Sequence, residues 1–321
     1  MSASGGTKAV VAAMTANAAI AVMKFTAWLL TGASSMLAEG IHSVADTSNQ
    51  LLLLRGGRSA RKAATEEHPF GFGRERYVAA FLVAIILFSL GGLFALYEAF
   101  HKYEEVVSGH PNELLEGPWW WVPLVVLVGA MVAEGLSLRT AIHESSGAKG
   151  KQTWFRFIRT SRQPELPVVL LEDTAALLGL VFALLGVGLT LLTHNGLWDV
   201  AGTALIGVLL ITVAGVLAVE TKSLLVGESA TPEAVRRIEA ALTASDGVQR
   251  VIHMKTLHLG PDEVMVAAKI AVEPTASADR VAEVINTAEA AIRAVDPMVT
   301  ALYIEPDIWH GADAAPTGEE S

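Results

Sequence analysis

The chain has 321 residues, of which 52% are hydrophobic and 17% charged, with a formal net charge of −10. A soluble domain of this size carries roughly 25% charged residues, so the composition and the mean hydropathy of +0.45 exclude an ordinary soluble enzyme. The acidic balance gives no electrostatic footprint for nucleic acid. The absence of cysteine excludes disulfides and thiolate metal sites.

A bilayer-spanning helix needs about 20 mostly apolar residues. Six stretches qualify, at 9–31, 35–55, 78–101, 119–140, 166–192 and 198–225. The first is longer than the ~7–15-residue core of a signal peptide and is expected to be retained. The loop after the second stretch carries Arg55, Arg58, Arg61, Lys62, Arg74 and Arg76. The loop after the fourth carries Lys149, Lys151, Arg156, Arg159 and Arg162. The other loops are nearly free of basic residues, so these two are expected inside, with both termini cytoplasmic. Trp119, Trp120 and Trp121 open the fourth stretch as an interfacial belt.

Beyond residue 226 the character changes. A helix is expected after Thr231-Pro232. Two strands, 248–258 and 263–272, flank the turn Leu259–Asp262. A second helix covers 277–295 and a short strand runs from Thr300 to Ile304. The order αββαβ suits helices packed on one face of a sheet. The expected division is a transmembrane domain at 8–226, a cytoplasmic domain at 227–310 and a disordered tail at 311–321.

Ionisable residues inside membrane spans are costly and point to function. The second stretch holds His42 and Asp46, one turn apart on one helix face. The fifth holds Glu172 and Asp173. Together they offer nitrogen and oxygen ligands of the kind zinc takes in tetrahedral sets at about 2.0–2.2 Å. Manganese and ferrous iron prefer more oxygen. The bland alternative is a set of charge pairs that tie helices together. Glu172 and Asp173 differ by about 100° around the helix, so one of them is expected to face Lys24 instead. Asn49 lies one turn past Asp46 and is a further ligand candidate. Asn17 and Gln50 suit interhelical hydrogen bonds. Glu39 and Glu98 sit near helix ends and are expected to be solvated or paired. There is neither a P-loop nor a His-Glu-x-x-His pattern, so transport would run on a gradient.

These residues carry a resemblance. The stretch Met36–Asp46, the loop His68-Pro69-Phe70-Gly71-Phe72-Gly73, the acidic fifth stretch and Leu224-Leu225-x-Gly227-Glu228 before an αββαβ tail resemble the cation diffusion facilitators. Glu172–Ala176 is similar to the branch whose animal member is a mitochondrial zinc exporter. The resemblance implies a six-helix bundle with a ferredoxin-like cytoplasmic domain, a homodimer, and no enzymatic activity. It implies no permanent cofactor: Zn²⁺ is cargo, exported in exchange for protons. The Ala/Leu/Val/Gly-rich composition suggests a bacterial inner membrane, with an organelle as the alternative. Mn²⁺ or Fe²⁺ export is the alternative within the family. A membrane-embedded metal-dependent hydrolase and a non-transporting docking protein are the alternatives outside it.

By resemblance, His42, Asp46 and Asp173 take ligand positions. The family's usual fourth ligand falls at Val169, which is apolar, leaving Glu172, Asn49 or water to fill the place. Phe72 stands where the family often has a loop histidine. His253 matches one ligand of the family's cytoplasmic site, but Met265–Ala268 opposite it carries no histidine. A metal-free, dimerising C-terminal domain is therefore expected.

Overall fold

A computed structural model describes residues 3–110 and 112–309, with side chains from Asn17 onward except that of Glu113. The tail 311–321 lies outside the described residues. The chain divides into two compact units. The first comprises residues 1–59 and 75–222, and the second comprises 60–74 and 223–321.

The first unit is helical. In chain order it holds α1 (Ala3–Thr31), α2 (Ser34–Ser59), α3 (Glu75–Ile86), a π-helical segment (Leu87–Leu93), α4 (Phe94–Val107), the single turn α5 (Glu113–Glu116), α6 (Val122–Lys149), α7 (Trp154–Thr160), α8 (Glu165–Thr193) and α9 (Leu197–Val226). Helix α3, the π segment and α4 run as one 33-residue helix. At 1.5 Å per residue that is about 50 Å, more than the ~30 Å hydrocarbon core. Among the described residues this helix, α6, α8 and α9 are long and apolar enough to cross a membrane. The described apolar part of α1, Asn17–Thr31, is shorter. Helix α2 interrupts its apolar residues with Glu39, His42, Asp46, Asn49, Arg55 and Arg58.

Glycine decides how closely the helices approach. A Cβ on Gly92 would lie 2.5 Å from Ile211 Cγ1, and one on Gly207 would lie 2.8 Å from Leu96 Cδ2. These contacts join the third long helix to α9. A Cβ on Gly186 would meet the Trp198 carbonyl at 2.9 Å, joining α8 to α9. The π segment contains Gly91 and Gly92. Its wider turn is a local feature of the kind often found at functional sites.

Helix α6 starts only at Val122, with Trp119 and Trp120 in a turn before it, and ends at Lys149, nine residues beyond the expected end. Helix α7 lies inside the basic loop that follows. Its Thr153 Oγ1 accepts from the Arg156 backbone N–H, an N-cap that starts the turn.

The second unit carries α10 (Pro232–Thr243), β1 (Arg250–Gly260), β2 (Glu263–Ala271), α11 (Ala278–Val295) and β3 (Val299–Asp307). Thr231 caps α10, with Pro232 at its first position, where the missing N–H costs nothing. The sheet order is β1-β2-β3. The first pair is antiparallel, with Thr256 opposite Val266, and the second is parallel, with Val266 opposite Leu302. A parallel pair needs a crossover of a dozen or more residues, which α11 supplies. Val264, Val266, Ala268 and Ile270 alternate along β2 toward the helices and pack with Ile238, Leu242, Ala288 and Ile292. The third strand outruns its expected end at Ile304, because Lys269 reaches Glu305 Oε1 at 3.1 Å and Asp307 Oδ2 at 2.9 Å. It tolerates Pro306 as an edge strand.

The loop 60–74 belongs to this second unit. His68 stacks on Phe72 at 4.6 Å between centroids. Gly73 sits against the β1–β2 turn so closely that a Cβ would lie 2.9 Å from the Leu259 carbonyl. The Gly-x-Gly of this loop is thus used for close backbone approach. His253 is exposed on β1, whereas His258 is buried with Nδ1 3.1 Å from the Gly260 carbonyl. The two do not converge.

Candidate metal site in the helical unit

Helix α2 places Glu39, His42, Ser43, Asp46 and Asn49 at successive i, i+3 and i+4 steps, which puts them along one helix face. All five are buried. The face is polar because α1, α6 and α8 close around it with polar groups of their own. His42 Nε2 lies 3.6 Å from Asp46 Oδ2, beyond hydrogen-bond distance. Asn49 Nδ2 donates to Glu172 Oε1 at 2.6 Å, tying α2 to α8. Asp173 turns toward α6, where its Oδ2 accepts from Ser137 Oγ at 2.8 Å. The roughly 100° between Glu172 and Asp173 is resolved in this way, one carboxylate to each neighbouring helix.

Lys24 faces neither of them. Its ammonium donates to Glu39 Oε2 and to Ser43 Oγ, both at 2.8 Å. The expected pairing of Lys24 with the α8 acids is thereby corrected. The reason is reach: Lys24 on α1 is packed on α2 and meets Glu39 first. Of the two expectations for Glu39, solvated or paired, pairing holds: it is fully buried against Lys24. Lys24 on α1, Glu39 and Asp46 on α2, Glu134 on α6 and Glu172 on α8 are all buried, so four helices bring ionisable groups into the interior.

Several buried nitrogen and oxygen atoms on the α2 face make no hydrogen bond among the described residues. They are His42 Nδ1 and Nε2, Asp46 Oδ1, Asn49 Oδ1 and Glu39 Oε1. An unsatisfied buried polar atom costs about 1–3 kcal/mol, and native structures hold few of them. Five on one helix face make it the polar seam of the helical unit. Among the described residues, no three His, Asp or Glu side chains sit together in ligand geometry. The face holds a His–Asp pair, an Asn–Glu pair and Asp173 as separate parts.

One further buried carboxylate was not anticipated from the sequence. Asp199, in the first turn of α9, accepts from the Ser34 backbone N–H at 2.8 Å, Ser34 Oγ at 3.1 Å and Ser35 Oγ. It thereby caps the start of α2 from another helix. Thr190 Oγ1 accepts the Asp199 N–H at 3.0 Å. The signal was a lone Asp at the start of an apolar run beside two serines that open another.

Residues 10–226 match the cation efflux transmembrane domain. The mouse mitochondrial proton-coupled zinc antiporter SLC30A9 is 35% identical over 269 residues, which are 83% of this chain and 46% of that protein. Metal tolerance protein C4 of Arabidopsis thaliana is 29% identical over 267 residues, 82% of this chain and 56% of that protein. The chain thus spans about half the length of these relatives. A solved structure of the MamM C-terminal domain is 20% identical, covering 25% of this chain and all of that one, with a TM-score of 0.24. With its apolar helices and its match to the efflux domain over most of its length, the chain is a polytopic helical membrane protein with a small C-terminal α+β domain, and it belongs to the cation diffusion facilitator family.

Proposed function

We propose that the protein exports a divalent transition-metal cation, Zn²⁺, from the cytoplasm in exchange for protons. The observation that carries this is the row of unpartnered, buried nitrogen and oxygen atoms on α2, inside a helical unit of the cation efflux type. Zinc is favoured because His42 supplies an imidazole beside carboxylates. The name of the 35%-identical mouse relative, a proton-coupled zinc antiporter, supports the same choice. His42, Asp46 and Asp173 are the ligands, and Glu172, Asn49 or water completes the set where Val169 cannot. Ser137 and Asn49 each hold one oxygen of Asp173 and Glu172, so each carboxylate keeps its second oxygen for the ion and its hydrogen bond as outer support.

The ion is cargo and not a resident cofactor. Metal binding needs His42 neutral and the carboxylates ionised, so loading releases protons and protonation ejects metal. One site thereby carries either cargo or protons. Six spans within 8–226 keep both termini cytoplasmic in a bacterial inner membrane. The C-terminal domain, 227–310, pairs two copies of the chain without metal of its own.

Zinc flux in proteoliposomes tests the function. Protein-dependent uptake that responds to an imposed pH gradient is expected, and no flux above empty vesicles would refute it. The topology has its own check. A cysteine introduced at Ser108 should react with a membrane-impermeant maleimide in intact cells, and one at Ser146 should react only after permeabilisation. The reverse pattern would invert the orientation.

A further inference from the structure

The Lys24–Glu39 pair lies on the same α2 face as the proposed ligands. Glu39 is one turn before His42, a rise of about 5 Å, and Ser43 directly follows it. The Lys24 ammonium bonds both at 2.8 Å, so it brackets His42. Lys24 is 1% exposed and Glu39 0%. Only one Glu39 oxygen is paired. The other, Oε1, has no hydrogen bond among the described residues and occupies the room left by the missing side chain of Gly179 on α8, where a Cβ would lie 2.6 Å away. Glu39 is thus a carboxylate with a free oxygen between α2 and α8, one turn from the His–Asp pair.

A buried ion pair is a poor way to stabilise a fold, since an apolar pair of similar volume is often as good or better. Its place beside a metal site supplies another reason for it. Left alone, Glu39 would be a further hard ligand on the route of a dication, and its full negative charge would deepen the site. We propose that Lys24 is a positioning residue that occupies Glu39 with a tethered cation, so that the cargo stops only at the His42–Asp46 level and leaves it readily. The ammonium takes the place beside Glu39 that a second metal ion would take, and it cancels the charge that would hold the first too tightly. This inference rests on the transport reading above.

The two partners make opposite demands on metal affinity, which a purely structural pair would not. Lys24→Met leaves Glu39 uncompensated, Glu39→Gln leaves the ammonium uncompensated, and the double variant removes both charges. At effective dielectrics between about 80 and 20, a unit charge about 10 Å from a dication changes affinity by roughly fourfold to a few hundredfold. Equilibrium zinc binding to the purified full-length protein reads this directly. Lys24→Met should bind zinc about tenfold tighter, with slower zinc flux, and Glu39→Gln about tenfold weaker. Lys24→Met/Glu39→Gln should return to within about threefold of the parent. If both single variants weaken binding, or neither moves it, the pair is a brace and the inference is wrong. If Lys24→Met does not fold, Glu39→Gln and the double variant decide. Weakened binding in the first and near-parent binding in the second supports the proposal, and any other pairing overturns it. A parent protein that binds no zinc overturns the transport reading, and this inference with it.

Discussion

Asp46→Ala and Asp173→Ala are each expected to abolish zinc transport while the protein still inserts and purifies. A dication stripped of water inside a helical bundle needs anionic oxygen to offset the lost hydration. Asp46 is the carboxylate one turn from His42 on α2, with one oxygen unpaired. Asp173 is the α8 carboxylate that accepts from Ser137 on α6 at 2.8 Å through one oxygen. Loss even of an outer-shell partner costs roughly 10–100-fold in metal affinity or activity, so loss of a direct ligand should cost more than about 100-fold. Flux near the parent level in either variant would remove that residue from the site. Glu172→Ala separates the remaining possibilities. Glu172 already accepts from Asn49 at 2.6 Å, so lost flux would make it the ligand in place of Val169. Retained flux would leave Asn49 or water to complete the set.

His42→Asp is the second large change expected. A free imidazole titrates near 6.5, and metal competes with its proton around neutral pH. A carboxylate titrates near 4. The sign follows directly: the parent should lose zinc affinity as pH falls through the imidazole range, whereas the variant should hold zinc until the pH is lower. Exchanging nitrogen for oxygen also favours harder ions, so Mn²⁺ should gain on Zn²⁺ by about tenfold in relative flux. Binding and competition measured from pH 5 to 8 report both effects. An unchanged pH profile and metal preference would show that His42 only braces α2, with the carboxylates exchanging the protons alone.

How much of this was legible in the sequence depends on how local each feature is. The long helices follow from uninterrupted apolar stretches, and the αββαβ order follows from the Thr231-Pro232 start, the turn Leu259–Asp262 and the alternation along β2. The His42–Asp46 spacing needed nothing beyond the 3.6-residue period. The partner of Lys24 needed the rotation of α1 against α2, which no spacing encodes, and the structure gives Glu39 instead of the α8 acids. The split of Glu172 and Asp173 between Asn49 and Ser137 likewise depends on how three helices meet. The Asp199 cap joins residues 165 positions apart. The π segment at Leu87–Leu93 and the short α7 escaped because each hinges on packing or capping that an apolar count averages away.

The measurement that bears most directly on the account is zinc entry into proteoliposomes holding the purified protein, followed with a trapped zinc-sensitive dye. The vesicle lumen is set more acidic or more alkaline than the bath, or equal to it. The account predicts protein-dependent zinc uptake that is fastest with the acidic lumen, accompanied by lumenal alkalinisation as protons leave, and slowed when the gradient is reversed. Zinc uptake indifferent to the direction of the pH gradient, without proton movement, would contradict it.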